Sequence, residues 1–178
     1  IGQLNISSFI SKYENVRTFE TTANPLLYQV QNKLSANIRG FDADVNANIN
    51  KDWNIVLGYR YLDIDLDFDN DSTDTITKFD AGVSPRHLFQ IQSRYNLTQN
   101  LEFDNYLYYV DALKSVNIDS YLRYDARLGY KLNKNIDLEL IGRSLLNNYE
   151  RETTRSFFST HNELGRSLQF NLKWRWNE

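Results

Sequence analysis

The chain has 178 residues, with 23 acidic and 20 basic side chains, a net charge of −3, and no Cys or Met. The absence of Cys excludes disulfide frameworks, zinc-thiolate sites and thiol nucleophiles. The balanced charge argues against nucleic-acid binding, which needs a concentrated basic face. A mean hydropathy of −0.59, with no run of about 18 apolar residues, excludes a membrane-spanning helix. A membrane-spanning barrel stays open, because its strands need only one apolar face.

Apolar and polar residues alternate with a period of two along most of the chain. The C-terminal run shows it most clearly, with one face formed by Leu168, Phe170, Leu172, Trp174 and Trp176 and the other by Ser167, Gln169, Asn171, Lys173 and Arg175. Such alternation predicts a β-strand and fits no helix. Over the whole chain it predicts about eight long strands, at 2–13, 34–49, 53–68, 86–97, 101–112, 119–132, 136–146 and 164–176.

The connections between these strands alternate in length. Tight polar turns lie at 50–52, 98–100 and 133–135, whereas the connections at 14–33, 69–85, 113–118 and 147–163 are mostly longer. Short turns at one end of a sheet and long loops at the other are typical of outer-membrane barrels. We therefore predict an all-β fold over residues 1–178, a single β-barrel region built as an antiparallel up-and-down meander of the transmembrane type.

The turn at 133–135 allows a test of strand register. If it closes a hairpin, Tyr130 pairs with Leu138 on the apolar face and Lys131 faces Asp137 on the polar face. A slip of one residue would destroy both pairings, so the pattern supports this register.

The same alternation also fits a soluble lipocalin-like barrel, whose apolar face points inward. Three features favour the membrane barrel: the length of the strands, the alternating loop lengths, and aromatic residues near strand ends. These aromatic residues are Trp53, Tyr130, Trp174 and Trp176.

The sequence offers little for catalysis. His87 and His161 are the two histidines, and neither is accompanied by a nucleophile elbow, a phosphate-binding glycine loop or a zinc-protease motif. We predict no enzyme activity, no catalytic or metal-binding residue, and no cofactor.

The acidic stretch from Asp63 to Asp71 resembles a calcium loop only superficially. Reading an EF-hand from Asp67 places Ser72 at the required glycine and Lys78 at the bidentate glutamate. We favour a solvated strand end that runs into a loop; binding of a cation or cationic ligand is the alternative.

Four arginines lie on the side of the long loops, namely Arg143, Arg151, Arg155 and Arg166. They either face an anionic ligand or pair with Glu150, Glu152 and Glu163. The strand arginines and lysines instead project from the polar face, where we expect them to meet acidic partners or water. They are Arg123, Arg127, Lys131, Lys173 and Arg175, and the acidic partners are Asp125, Asp137 and Glu139.

Several segments resemble the closing strands of TonB-dependent outer-membrane receptors. They are the runs Asn105-Tyr-Leu-Tyr-Tyr-Val-Asp-Ala-Leu113, Val116-Asn-Ile-Asp-Ser-Tyr-Leu-Arg-Tyr-Asp-Ala-Arg-Leu128 and Leu138-Glu-Leu-Ile-Gly-Arg-Ser-Leu-Leu-Asn-Asn-Tyr-Glu150. In the last run Ser144 replaces the first residue of the family's asparagine-leucine-leucine strand end. Gly40-Phe-Asp-Ala-Asp44 is similar to its glycine-x-glutamate strand, with Asp in place of Glu.

The resemblance implies the bacterial outer membrane and its lipid as the environment, and uptake of a scarce small-molecule ligand such as a ferric siderophore, another metal chelate or an oligosaccharide. Family barrels have about 22 strands around a plug domain. The chain is thus expected to be the last third of such a barrel, without the plug that contacts TonB. A small free-standing eight-stranded barrel, serving as an anchor or adhesin, is the alternative.

The resemblance also implies roles for individual residues. Ligand contacts are expected in the outer loops, where the candidates are Asp69, Asp71, Arg151 and Arg155. Family members end on an aromatic residue that signals barrel insertion. Trp174 and Trp176 are the candidates for this signal, although Asn177 and Glu178 follow them.

Overall fold

The computed structural model describes residues 2–24, 26–77, 82–153 and 162–176, most of them in extended strands. The strands are β1 Gly2–Thr21, β2 Tyr28–Asn48, β3 Trp53–Phe68, β4 His87–Asn96, β5 Leu101–Val110, β6 Tyr121–Lys131, β7 Ile136–Arg143, β8 Tyr149–Thr153, β9 Asn162–Gly165 and β10 Ser167–Trp174. A short 3-10 turn covers Lys114–Val116. Within the described ranges, no helix is long and apolar enough to cross a membrane.

Eight of the strands form one antiparallel sheet in the order β1-β2-β3-β4-β5-β6-β7-β10, and β8 and β9 form a separate hairpin between β7 and β10. The predicted up-and-down meander is therefore confirmed. Among the described residues, β1 and β10 are edge strands that each pair with one neighbour. The β8–β9 hairpin was not predicted, because its strands are too short to show a clear alternation.

β1 and β2 are longer than predicted because an irregularity hides their continuity in the sequence. The β1–β2 register shifts between Tyr13 and Thr18, and Asn15 has a φ of 57°. A bulge of this kind interrupts the period of two. The predicted loop 14–33 consequently contains the outer ends of both strands and only a short connection.

The register predicted for the 133–135 turn is confirmed. Leu128 pairs with Leu140, and Tyr130 pairs with Leu138. The side chain of Asn133 accepts hydrogen bonds from the backbone N–H groups of residues 135 and 136, at 2.9 and 3.0 Å. This Asx turn fixes the hairpin geometry and with it the face that each following residue occupies.

The apolar face of the sheet packs against nothing in the described part of the chain. In β10, the side chains of Leu168, Phe170 and Leu172 are between 59% and 73% exposed. The buried apolar residues among those described are Leu34, Ala36 and Ile118. A contiguous exposed apolar surface of this extent marks an interaction with a membrane or another protein.

The apolar side chains on this face form a band of limited height across the sheet, which we call the apolar stripe. Strand β3 shows its two ends most clearly. Its apolar-face positions run from Trp53 to Tyr61, a span of nine residues, and a tilted strand needs about 9–11 residues to cross a bilayer. From Leu62 onward the apolar side chains lie on the opposite face, where Ile64 pairs with Ile38. The stripe therefore has the height of a membrane core and ends at Tyr61.

Aromatic side chains mark both ends of this stripe. At the short-turn end, the rings of Trp53 and Tyr95 lie 5.9 Å apart. At the long-loop end, the rings of Tyr61 and His87 lie 5.2 Å apart, and the Tyr59 hydroxyl is 2.9 Å from His87 Nδ1. Two such belts are typical of the interfaces of a membrane barrel.

The polar side chains within the apolar face find partners on neighbouring strands. Trp53 Nε1 donates a hydrogen bond to Ser93 Oγ at 2.9 Å, and the Tyr124 hydroxyl donates to Asn105 Oδ1. An unpaired polar group would be costly in hydrocarbon. These bonds make the face suitable for contact with lipid.

Candidate functional site

The opposite, polar face of the sheet carries a network of charged side chains. Arg127 donates to Glu139 at 2.6 Å, to Asp104 at 2.8 Å and to Glu102 at 3.2 Å. Lys131 lies 3.1 Å from Glu102. Three strands thus meet through one guanidinium group, whose planar set of donors suits several carboxylates at once.

Further ion pairs neutralise most of the remaining charge on this face. Arg60 contacts Asp42 at 2.6 Å, Arg123 contacts its strand neighbour Asp125 at 2.7 Å, and Arg175 pairs with Asp137. The expected projection of the strand arginines toward acidic partners is therefore observed. Lys131 itself pairs with Glu102 rather than with Asp137, although the register places it opposite Asp137.

Arg143 differs from these arginines because its partner is neutral. Its Nη1 donates to Gln169 Oε1 at 3.0 Å, and among the described residues it forms no ion pair. It borders a hollow of about 270 Å³ whose lining includes Tyr106, Tyr108 and Ile141. The hollow is also lined by Asp125 and Arg127, which are engaged in ion pairs with other side chains. The guanidinium of Arg143 is therefore the charge left for an anionic, aromatic-bearing ligand, beside two phenol rings.

A second hollow, of about 210 Å³, adjoins the first through Tyr108 and lies over Gly58. A Cβ at Gly58 would approach the Gln90 side chain at 2.7 Å and the Asp44 carboxylate at 2.9 Å. Gly58 therefore allows both side chains to lie against the strand backbone. The Asp44 carboxylate forms no ion pair in the described part of the chain, so this hollow is acidic where the first is basic.

The candidate residues from the sequence do not meet at one place. Asp71 is an ion-pair partner of Lys33 at 2.7 Å, and this ammonium lowers the pKa of the Asp71 carboxyl. Asp69 follows β3, and its N–H donates to the Lys33 carbonyl. The backbone of Arg151 lies in β8, and Arg155 lies outside the described residues.

The acidic stretch begins in β3 and ends beyond it. β3 ends at Phe68, so the stretch is a strand end that continues into a loop, as the favoured interpretation stated. Within the described residues, no group of three or more His, Asp or Glu side chains is arranged to hold a metal ion. Asp63 pairs instead with Arg86 at 3.1 Å.

Sequence reasoning did not single out Tyr106, Tyr108, Asp44 or Gly58. The alternation of apolar and polar residues does place all four on the polar face of the sheet, and this position is what could have identified them in the sequence. Their grouping depends on the pairing of four strands, which becomes visible only when all registers are known.

Together, the meander, the membrane-height apolar stripe and the charged opposite face define the wall of a transmembrane β-barrel. A family model described as "TonB dependent receptor-like, beta-barrel" matches residues 1–145. The chain belongs to this family, whose members are outer-membrane receptors, and its polar face is accordingly the lumen wall. Family membership favours this class over the soluble lipocalin-like barrel.

Individual relatives agree with this assignment. The probable TonB-dependent siderophore receptor PiuA of Acinetobacter baumannii is 28% identical over 97% of this chain and 25% of its own length. The crystal structure of PiuA superposes with a TM-score of 0.69 at 24% identity, covering 96% of this chain and 26% of that one.

More distant structures share the fold. The ferric-catecholate import receptor Fiu of Escherichia coli K12 has a TM-score of 0.73 at 18% identity, with 97% of this chain and 25% of that chain covered. FpvA of Pseudomonas aeruginosa PAO1, bound to pyoverdine, has a TM-score of 0.75 at 12% identity, with 98% and 27% covered. The chain therefore spans about a quarter of the length of the relatives it matches.

Proposed function

We propose that this chain forms part of the barrel wall of a receptor that imports a scarce anionic metal chelate, such as a ferric siderophore, across the outer membrane. The observation that carries the proposal is the likeness to the Acinetobacter relative named as a probable siderophore receptor, which extends over 97% of the chain. The proposed role is binding and transport, with no chemical conversion of the ligand.

The hollow beside Arg143 supports this ligand class. Tyr106 and Tyr108 contribute aromatic rings to its lining, and Arg143 contributes a guanidinium that donates to Gln169 and forms no ion pair among the described residues. A chelate that carries net negative charge and planar rings would gain a charge-assisted hydrogen bond and ring contacts there. Among the outer-loop candidates, Arg151 and Arg155 remain proposed contacts for the negative charge of the same ligand, and Asp69 and Asp71 for its uncharged hydrogen-bond donors.

The remaining parts of the proposal follow the family. Residues 1–178 act as a single β-barrel region, and energy reaches the receptor through contact of a plug domain with TonB. Trp174 and Trp176, whose rings lie 5.9 Å apart, serve as the barrel-insertion signal.

The test is iron uptake by cells that carry the whole receptor containing this chain as their sole siderophore receptor. Radioactive iron is supplied as a tris-catecholate, a tris-hydroxamate or a citrate complex. We expect TonB-dependent accumulation from at least one complex and none in cells lacking the receptor. Absence of uptake from all three, with the receptor present in the outer membrane at normal levels, would refute the proposal.

A further inference from the structure

The segment that follows β3, residues 69–77, lies across the long-loop ends of β2 and β1; we call it the strap. It begins at β2, where the Asp69 N–H donates to the Lys33 carbonyl at 3.0 Å and Lys33 Nζ donates to Asp71 at 2.7 Å. It then reaches β1, about fifty residues earlier in the chain. Three strands are thus joined through one loop segment.

The first fastening point on β1 is the carboxylate of Glu20, which is only 4% exposed. It accepts hydrogen bonds from Ser72 Oγ and Thr73 Oγ1, both at 2.9 Å, and from the Thr73 N–H. Among the described residues Glu20 forms no ion pair. A buried carboxylate held by neutral donors of one loop is expensive unless that loop stays in place.

The second fastening point runs in the opposite direction, from β1 to the strap. The Phe19 N–H donates to Asp74 Oδ2 at 2.8 Å, and the Thr21 N–H donates to Thr73 Oγ1 at 2.9 Å. Asp74 Oδ1 also accepts from the N–H groups of Ile76 and Thr77. Asp74 is 6% exposed, and it therefore orders the strap and binds β1 at the same time.

We propose that the strap is a permanent brace, which joins the outer ends of β1, β2 and β3 into one rigid unit of the barrel wall. The fastening uses carboxylates from both partners, Glu20 of β1 and Asp74 of the strap, so neither side binds by backbone contacts alone. The strap is then a fixed part of the wall and not a mobile loop. This inference does not depend on the identity of the transported ligand.

The test is hydrogen exchange of the whole receptor in detergent micelles, without ligand. We expect slow exchange of the Phe19 and Thr21 amides, and acceleration of about twentyfold or more in the Asp74→Ala variant. Asp71→Ala is the matched control, because Asp71 lies in the same strap with a 74% exposed side chain and its surface ion pair contributes little. Acceleration in the control should stay below about threefold.

Amides of β5, distant from the strap, show whether a variant still folds. If the β5 amides also lose protection in Asp74→Ala, that variant is not folded correctly and Glu20→Gln is used as the test instead. Glu20→Gln keeps the shape of the side chain but removes its charge. The proposal holds if Glu20→Gln accelerates Phe19 and Thr21 and leaves β5 unchanged. Rapid exchange of these two amides in the unaltered receptor, or equal effects of Asp71→Ala and Asp74→Ala, would overturn it.

Discussion

Tyr61 and Leu62 are consecutive residues of β3, and between them the apolar side chains change from one face of the sheet to the other. Below this level the apolar face carries Tyr59 and Leu57, and above it carries Asp63 and Asp65. Carboxylates are costly in hydrocarbon even when an arginine pairs with them, as Arg86 does with Asp63. The step from Tyr61 to Asp63 therefore marks the outer boundary of the membrane on this strand.

Replacing Arg143 with Gln tests the proposed ligand hollow. The variant loses a charge-assisted hydrogen bond to an anionic ligand, worth about 1.5–3 kcal/mol, so the affinity for the transported chelate should fall by about tenfold or more. Titration of the purified receptor with the ferric complex that supports uptake measures the change. Arg94→Gln is the control, because Arg94 also contacts a glutamine, Gln92, at 3.3 Å, but near the short-turn end. Equal losses in both variants would contradict a site beside Arg143.

Replacing Arg127 with Met tests the charged network of the lumen wall. The change leaves the carboxylates of Glu102, Asp104 and Glu139 close together without their shared cation, and we expect a loss of about 2 kcal/mol in the free energy of unfolding. Arg60→Met removes a more exposed pair with Asp42 and should cost less than about 1 kcal/mol. Urea unfolding of the receptor in lipid vesicles measures both. A cost for Arg127→Met no larger than for Arg60→Met would show that the network is dispensable.

Acid should loosen the strap through Glu20. The hydrogen bond from the Thr73 N–H, aided by the hydroxyls of Thr73 and Ser72, outweighs burial and lowers the pKa of Glu20 from about 4.5 to about 2. Because the folded pKa is the lower one, the contribution of Glu20 is complete above about pH 4.5 and is lost as the pH falls toward 2.

The charged groups around Glu20 set the background for this experiment. Lys33 and Asp71 form the neighbouring ion pair. Burial raises the pKa of Asp74, but hydrogen bonds from Thr77, Phe19 and Ile76 outweigh it, so the pKa lies below its ordinary value. Because these groups also titrate, the measurement compares the amide exchange rate of the unaltered receptor with that of the Glu20→Gln variant at each pH. The exchange rate of the Phe19 amide, corrected for its intrinsic pH dependence, should rise as the pH falls from 4.5 to 2, and it should rise more in the unaltered receptor than in Glu20→Gln. Parallel pH profiles of the two proteins would contradict the role of Glu20.

Much of the fold could be predicted from the alternation alone, since it repeats wherever one face is apolar. The predicted strand 53–68 coincides with β3, and the hairpin register around 133–135 is as expected. The prediction was wrong where a single residue leaves the extended conformation. Asn15 conceals the outer half of β1, and Ser144, with a φ of 51°, ends β7 earlier than predicted.

The candidate site was less predictable, because it depends on residues far apart in the chain. The polar face of each strand could be identified, yet the grouping of Arg143 with Tyr106 and Tyr108 needs the pairing of β5, β6 and β7. Likewise, no local pattern connects Glu20 to Asp74, which lie on different elements. The alternation along one strand shows which face of the sheet each side chain occupies. Which side chains meet at a site depends on the registers between neighbouring strands.

The most direct test of the membrane boundary, and with it of the outer-membrane barrel, is a scan of β3 with single nitroxide labels on introduced cysteines in the receptor reconstituted in lipid vesicles. Labels at residues 55, 57, 59 and 61 should collide mainly with oxygen dissolved in the bilayer, and labels at 63, 65 and 67 mainly with a water-soluble nickel chelate. The predicted result is a change from oxygen to the nickel chelate as the main collision partner between labels at residues 61 and 63. Accessibility to the nickel chelate along the whole series, or oxygen exposure that continues through residue 67, would contradict the account.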